Sequence, residues 1–311
     1  AARRLAEARL RRHALPGGLR ALPRGAVYVN VGHANLRDES FAALRTAGAE
    51  TVVVMIHDTI PLDFPEHART GTPELFRARL AAVGRAADLV IYNSEDTGRQ
   101  AARHFAALGR VPPGAVIPLG LDPPAPTRAI VADPPAFVAL GTIEPRKNHA
   151  LLLDVWARLA ADPPAGGLPP LHIIGRRGWA GPDLLARLDA RPEGVEELGP
   201  LTDAEMQGRL AGARALLFPS FAEGFGFPLA EALQRGVPVI ASDLPALRAL
   251  GGDQVTWCDP ADPAGWEAAI RVCAAPHTKR PEAVEFPTWS DHLHELTAVL
   301  RRHCDGVSDQ R

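Results

Sequence analysis

The chain has 311 residues, room for about two domains of ordinary size, and 46% of them are hydrophobic, enough to bury two cores. With 34 basic against 36 acidic residues and a net charge of -2, it is neither an acidic disordered chain nor one that binds nucleic acid by bulk charge. Aromatic residues at 5% also exclude stacking platforms for single strands, and no apolar run reaches the roughly 20 residues of a membrane-spanning helix. Cys258, Cys273 and Cys304 are widely spaced, which fits a reducing compartment and offers neither a disulfide framework nor a thiolate zinc site. Lys147 and Lys279 are the only lysines among the basic residues, so a lysine within a motif carries weight.

In chain order, Arg3, Arg4, Arg9, Arg11 and Arg12 fall on a first helix with Leu5, Ala6, Ala8 and Leu10. A solvated face is the preferred reading of it, and a surface for anionic lipid the alternative. Short Val- and Ile-rich runs then alternate with helical periodicity, the pattern of parallel sheets covered by helices, so the fold class is α/β. Strands are expected at Ala26–Val31, Thr51–His57, Asp88–Asn93 and Ala115–Pro118, and helices at Arg37–Ala47, Pro73–Ala86 and Glu95–Ala107. Leu121–Pro135 holds five prolines and reads as a linker, which places a boundary near residue 124.

The rhythm restarts with strands at Ala136–Gly141, Leu171–Gly175, Arg214–Pro219, Val237–Ser242 and Gln254–Cys258. Helices are expected at His149–Ala160, Pro182–Ala190, Asp203–Ala211, Pro228–Arg235 and Pro263–Ala274. Thr288–His303 closes the chain as an amphipathic helix with Trp289, Leu293, Leu296 and Leu300 on one side. The expected domains are therefore 1–124, 125–287 and a final helix, 288–311, that crosses back to the first domain.

In doubly wound sheets ligands sit beyond the carboxyl ends of the strands. Pro219 to Leu233 is such a strand end, a turn with Gly224 and Gly226, and a helix opening at Pro228. Glu223 and Glu231 stand eight residues apart there, and carboxylates accept hydrogen bonds from vicinal hydroxyls. Backbone amides at a helix start suit an anion, although a glycine turn before a helix is by itself common. Gly141-Thr142-Ile143-Glu144-Pro145-Arg146-Lys147-Asn148 follows another strand of the same sheet, and adjacent Arg and Lys suit a diphosphate. Asn148 is expected to cap the next helix. No G-x-S-x-G elbow or H-E-x-x-H spacing is present to suggest a serine hydrolase or a zinc protease.

Gly-Thr-Ile-Glu-Pro-Arg-Lys-Asn-His followed by Glu-Gly-Phe-Gly-Phe-Pro-Leu-Ala-Glu-Ala-Leu resembles the family 4 retaining glycosyltransferases of GT-B fold. The resemblance implies two Rossmann-like, doubly wound domains facing a cleft, with a nucleotide sugar held mainly by the second and no metal or cofactor required. It assigns Arg146 and Lys147 to the donor diphosphate, Glu223 to sugar hydroxyls, Glu231 to the ribose, and the amides of Gly224, Phe225, Gly226 and Phe227 to phosphate and sugar. Gly141 and Thr142 line the donor site, Arg176 stands beside the nucleotide, and the backbone near Leu201 meets the base. His57-Asp58-Thr59-Ile60-Pro61 resembles the segment whose histidine faces the donor sugar near the reacting carbon, and Asn93-Ser94 resembles a strand end on the acceptor side. The catalytic set is thus His57, Arg146, Lys147 and Glu223, with Asp58, Asn93 and Ser94 towards the acceptor.

Two departures stand out. Thr142 occupies a position where many relatives carry Arg, and no glycine-rich loop precedes Ala26, which implies a first domain cut short at its N-terminus or built differently. The implied reaction moves a hexose, mannose from GDP-mannose by preference, to a glycan or lipid-linked acceptor in bacterial polysaccharide synthesis. No nucleophilic carboxylate for a covalent intermediate is evident, so the resemblance favours a front-face path in which the departing phosphate oxygen takes the acceptor proton. The expected setting is the cytoplasm, with peripheral contact at the inner face of the plasma membrane. Rival readings are a nucleotide-sugar epimerase or phosphorylase of the same fold, and a catalytically silent donor-binding subunit.

Overall fold

The computed structural model describes residues 22–23, 25–275 and 279–308, so the basic stretch Arg3–Arg12 lies outside the described residues. The chain divides into two compact units. The first gathers the described residues of Ala1–Pro65, Thr70–Pro118 and His292–Arg311, and the second those of Glu66–Arg69 and Leu119–Asp291.

The first unit carries four parallel strands, β1 (Ala26–Asn30), β2 (Ala49–Ile56), β3 (Leu89–Tyr92) and β4 (Gly114–Val116), in the spatial order β1-β2-β3-β4. Helices α1 (Asp38–Thr46), α2 (Ile60–Asp63), α3 (Thr72–Ala86) and α4 (Glu95–Ala107) make the connections. Strand β2 is buried over nearly its whole length, and Val52, Val54 and Ile56 share a core with Val90, Leu80, Val83 and Phe105. Burial on both faces explains why β2 reads as a continuous apolar run instead of an alternating one.

The second unit holds six parallel strands in the order β10-β9-β8-β5-β6-β7. They are β5 (Phe137–Leu140), β6 (Leu171–Ile174), β7 (Val195–Gly199), β8 (Ala215–Phe218), β9 (Val239–Ser242) and β10 (Val255–Cys258). Between them run α5 (His149–Ala161), α6 (Pro182–Asp189), α7 (Asp203–Gly212), α8 (Phe227–Gln234), α9 (Pro245–Gly251) and α10 (Pro263–Ala274). Successive residues of a strand point to opposite faces, and the core divides accordingly. Phe137, Ala139, Leu171, Ile173 and Leu217 join Trp156 and Trp266 on one face, whereas Val138, Leu140, Leu216 and Phe218 join Leu229 and Leu233 on the other. The order reverses between β5 and β8, and that reversal opens the crevice at a doubly wound sheet's carboxyl edge.

Four expectations need correction. Val195–Gly199 is a sixth strand that its two glutamates and glycine disguise, because an edge strand half open to water need not be apolar. Pro245–Gly251 is a helix too short to show periodicity. Leu121–Pro135 is irregular but is no free linker, and the chain changes unit ahead of residue 124, between Pro118 and Leu119. Ile130 donates its N–H to Gly208 O at 2.8 Å, and a side chain at Gly212 would run into the Ile130 carbonyl, so the segment lies against α7.

The last helix, α11 (Trp289–Ser308), packs on a different face from the one expected. Trp289 and Leu293 are exposed, while His292 is buried and its Nδ1 lies 2.8 Å from Pro118 O. A histidine that can satisfy a strand-end carbonyl takes the inward position, with Leu296 and Leu300 partly buried beyond it. From His292 onward the described residues of this helix count with the first unit.

Candidate donor site and histidine frame

The two motifs meet because β5 and β8 are adjacent and parallel, so the loops leaving their carboxyl ends share the crevice of the reversal. After β5 the chain forms a turn at Pro145–Lys147 and enters α5 through Asn148, whose φ of 53° is left-handed. Asn148 stands at the cap position without capping, since its Nδ2 donates to Pro260 O at 2.9 Å instead. This corrects the expected N-cap, and the amide pins the turn to the segment beyond β10.

The turn presents Arg146 and Lys147 to Glu223. Lys147 Nζ lies 2.6 Å from Glu223 Oε1, and Arg146 lies 2.8 Å from the same oxygen. Arg146 also pairs with the buried Glu144 at 2.9 Å and donates to Ala222 O at 2.7 Å, while Phe221 N–H donates to Arg146 O at 2.9 Å. Lys147 Nζ lies 4.7 Å from the centre of the Phe218 ring. Burial pushes the Glu223 carboxyl up, but the charges of Lys147 and Arg146 more than reverse this and hold it below the ordinary range. The result is a fixed, ionised carboxylate between two fixed cations in a largely dry site.

Gly175, just after β6, brings a third loop close. A Cβ there would overlap the Gly141 carbonyl oxygen, and its φ of 155° disfavours any other residue, so the glycine lets the β5 and β6 strand ends close up. Ile143 N–H then donates to Arg176 O at 2.9 Å and Gly178 N–H to Ile143 O at 2.9 Å. Thr142 is partly buried in this lacing, whereas Arg176 is exposed.

Gly224 and Gly226 form the turn into α8, with Gly226 at φ 104°. Phe225 is buried, and its ring sits 5.0 Å from that of Phe227. Leu201 packs against the core beneath α8. Glu231 does not join the cluster around Glu223. Its Oε2 accepts from Gln207 Nε2 at 3.3 Å, and burial raises its carboxyl despite that bond and the nearby Arg235 charge. It lines a cavity of about 470 Å³ with Gln207, Gln234 and the Leu121–Thr127 segment.

In the first unit His57, Asp58, Asn93 and Ser94 are brought together beyond the carboxyl ends of β2 and β3. Asn93 Nδ2 donates to His57 O at 2.9 Å, and its buried Oδ1 has no hydrogen-bond partner among the described residues. Asp58 Oδ1 accepts from Ile60 N–H at 3.1 Å, a turn-forming contact. Ser94 caps α4 by accepting from Thr97 N–H at 3.1 Å, as its residue type suggests. Sequence reasoning missed Glu144 and His33. The signal for Glu144 was its place two residues before Arg146; His33 gave none, because its contact with His57 spans two strands.

Residues 134–275 match the family model described as glycosyl transferases group 1. The chain is 28% identical over 282 residues to the serotype-specific mannosyltransferase WbdA of Escherichia coli, an alignment covering 83% of this chain and 34% of that protein. It is 37% identical over 125 residues to the O-antigen chain mannosyltransferase B of Escherichia coli, covering 40% of this chain and 32% of that one. The chain spans about a third of the length of these curated relatives. Among solved structures, sucrose-phosphate synthase of Thermosynechococcus elongatus superposes with a TM-score of 0.67 at 19% identity, covering 86% of this chain and 72% of that one. Anabaena HepE in complex with UDP gives 0.62 at 19% identity, covering 92% and 78%. Residues 134–275 are thus similar to the group 1 glycosyl transferases, and the chain shares the GT-B fold of these solved structures.

Proposed function

We propose that the chain transfers mannose, with retention, from GDP-mannose to a glycan or lipid-linked acceptor in polysaccharide synthesis. The observation that carries this reading is the Arg146, Lys147 and Glu223 cluster at the crevice of the second sheet. Two mannosyltransferases among the relatives support the choice of sugar.

In this reading the donor diphosphate meets Arg146 and Lys147 together with the amides opening α8, so charge on the leaving group is matched by groups already in place. Glu223, held ionised, accepts hydrogen bonds from sugar hydroxyls and keeps both cations oriented. Gly141, Thr142, Arg176, Leu201 and the Gly224–Phe227 turn complete the donor site, and Glu231 takes the ribose. His57, Asp58, Asn93 and Ser94 serve the sugar and the acceptor. The departing phosphate oxygen takes the acceptor proton as the new glycosidic bond forms on the face that the diphosphate leaves.

Arg146 and Lys147 supply the positive charge, and the reaction is proposed to need neither metal nor cofactor. Among the described residues no helix is long and apolar enough to cross a membrane. We place the reaction in the cytoplasm, with peripheral contact at the inner face of the plasma membrane.

The test is transfer of radiolabelled mannose from GDP-mannose, with and without EDTA, in the presence and absence of a lipid-linked mannoside. Product that appears only with acceptor, and equally in EDTA, is expected. Sugar turnover without acceptor would point to an epimerase or hydrolase, and donor binding without turnover to a silent subunit.

A further inference from the structure

The loop that leaves β1 is built around a buried asparagine. Asn30 Oδ1 accepts the Gly32 N–H at 3.0 Å, while Nδ2 donates to the Tyr28 hydroxyl at 3.0 Å and to Ala34 O at 2.9 Å. The loop ends at Asn35 with φ 60°, a left-handed conformation that asparagine tolerates. Because β1 and β2 are parallel neighbours, the loop beyond β1 lies next to the residues that follow β2, the first of which is His57.

Two contacts join them. His57 Nε2 lies 2.7 Å from Val31 O, and the His57 backbone N–H donates to His33 Nε2 at 3.4 Å, with the two rings 5.4 Å apart and tilted by 52°. On its other side the His57 carbonyl accepts from Asn93 Nδ2 at 2.9 Å and from Thr97 Oγ1 at 3.4 Å. These contacts engage the backbone N–H, the carbonyl and one ring nitrogen of His57, and leave Nδ1.

A carbonyl oxygen only accepts, so the proton on the neutral His57 ring sits on Nε2 and the lone pair on Nδ1. The same logic fixes His33, whose Nε2 accepts and whose Nδ1 carries its proton. His33 also packs edge-on against Phe76 at 5.4 Å. Burial, reinforced by the neighbouring His57 and the Arg79 charge, pushes its imidazole down to about 4, so it is a neutral acceptor at physiological pH.

We infer that His33 is a positioning residue: with Val31 it forms a frame, stapled by Asn30, that holds His57 in the Nε2–H tautomer and presents Nδ1 to a substrate hydroxyl as an acceptor. That Nδ1 meets a substrate hydroxyl rests on the glycosyltransferase reading; the frame and the tautomer rest on the contacts of His57 alone.

The test uses the full chain and reads the ring nitrogens of His57 by long-range proton–nitrogen NMR, with His57→Gln to assign them. In wild type the neutral form of His57 is expected to carry its proton on Nε2. His33→Phe keeps a ring against Phe76 but loses the acceptor, and is expected to shift His57 towards a mixture of tautomers. Its kcat should fall about three- to tenfold, the size of one neutral hydrogen bond, with donor KM within about twofold. His33→Gln, which keeps an acceptor, should restore both the tautomer and kcat. Asn30→Ser loosens the staple without touching either histidine and should reproduce the tautomer mixture, which covers the case in which His33→Phe does not fold. A wild-type His57 protonated mainly at Nδ1, or wild-type shifts in both His33→Phe and Asn30→Ser, would overturn the inference. Expected NMR shifts in a protein that transfers no sugar would keep the frame and discard the glycosyltransferase reading.

Discussion

Replacing Lys147 with alanine removes one of the two cations on Glu223 and one proposed phosphate ligand. Lys147 is largely buried and lies 2.6 Å from Glu223 Oε1, with Arg146 on the same oxygen at 2.8 Å. A charge-assisted hydrogen bond to phosphate is worth about 1.5–3 kcal/mol, which converts to a loss of about 13- to 160-fold in donor affinity or kcat/KM. Removing one partner of a buried ion pair costs about 3–5 kcal/mol of stability when the other charge is stranded, and with Arg146 still in place the cost falls below that range.

The substitution also has a pH signature. Burial raises the Glu223 carboxyl and Lys147 is foremost among the groups that lower it again, so Lys147→Ala moves the carboxyl up. A depressed carboxyl keeps its ion pair above the ordinary carboxylate range and loses it as the pH falls. The variant therefore loses donor binding at a higher pH than wild type does. The assay is calorimetric titration of GDP and donor kcat/KM between pH 5 and 8, with Glu223→Gln and the double variant closing a cycle. A coupling energy of about 1 kcal/mol or more is expected for groups in direct contact. GDP affinity and kcat/KM within twofold of wild type across that range would refute the reasoning.

Gly175→Ala should cripple donor binding without touching any ligand-facing side chain, because its Cβ would collide with the Gly141 carbonyl and push the Arg146 and Lys147 turn away. Unchanged GDP affinity in that variant would show that the three loops are not coupled. Burial, aided by the Lys147 charge, pushes the His149 imidazole down to about 4. The unfolded chain binds this proton from about pH 6.5 downward while the folded chain refuses it, so stability is full above about pH 6.5 and falls by roughly 3 kcal/mol as the pH approaches 4. Urea midpoints should drop between pH 7 and pH 5 in wild type and drop less in His149→Phe; equal slopes in the two proteins would contradict this. His292→Ala deprives the Pro118 carbonyl of its buried donor, at a cost of about 1–3 kcal/mol. Faster amide exchange in the last helix is the expected readout, and unchanged exchange would show that the contact holds nothing.

The cluster of Arg146, Lys147 and Glu223 was legible because each half of it is local in sequence. Arg146 and Lys147 follow one strand, Glu223 and the Gly226 turn follow another, and strand order then joins them. Glu231 was legible as a residue but not in its surroundings, since Gln207 approaches it from the preceding helix, across an intervening strand. The same limit hid His33, which matters only because parallel pairing sets it beside His57. The proline content of Leu121–Pro135 correctly signalled irregular backbone but not its seat on α7, which depends on Gly208 and Gly212 leaving that helix bare. The apolar stripe of the last helix misled, because Trp289 and Leu293 face outward while a histidine with a carbonyl to satisfy turns inward.

The central claim is a nucleotide-sugar site in the second unit, and a thermal-shift panel of GDP, UDP, ADP and their hexose conjugates, with and without EDTA, tests it most directly. A ligand at a hundred times its Kd stabilises the folded protein by about 2.7 kcal/mol. The account predicts a shift from GDP and GDP-mannose that survives EDTA and disappears in Lys147→Ala. A shift that Lys147→Ala leaves intact, or none from any nucleotide, would contradict it.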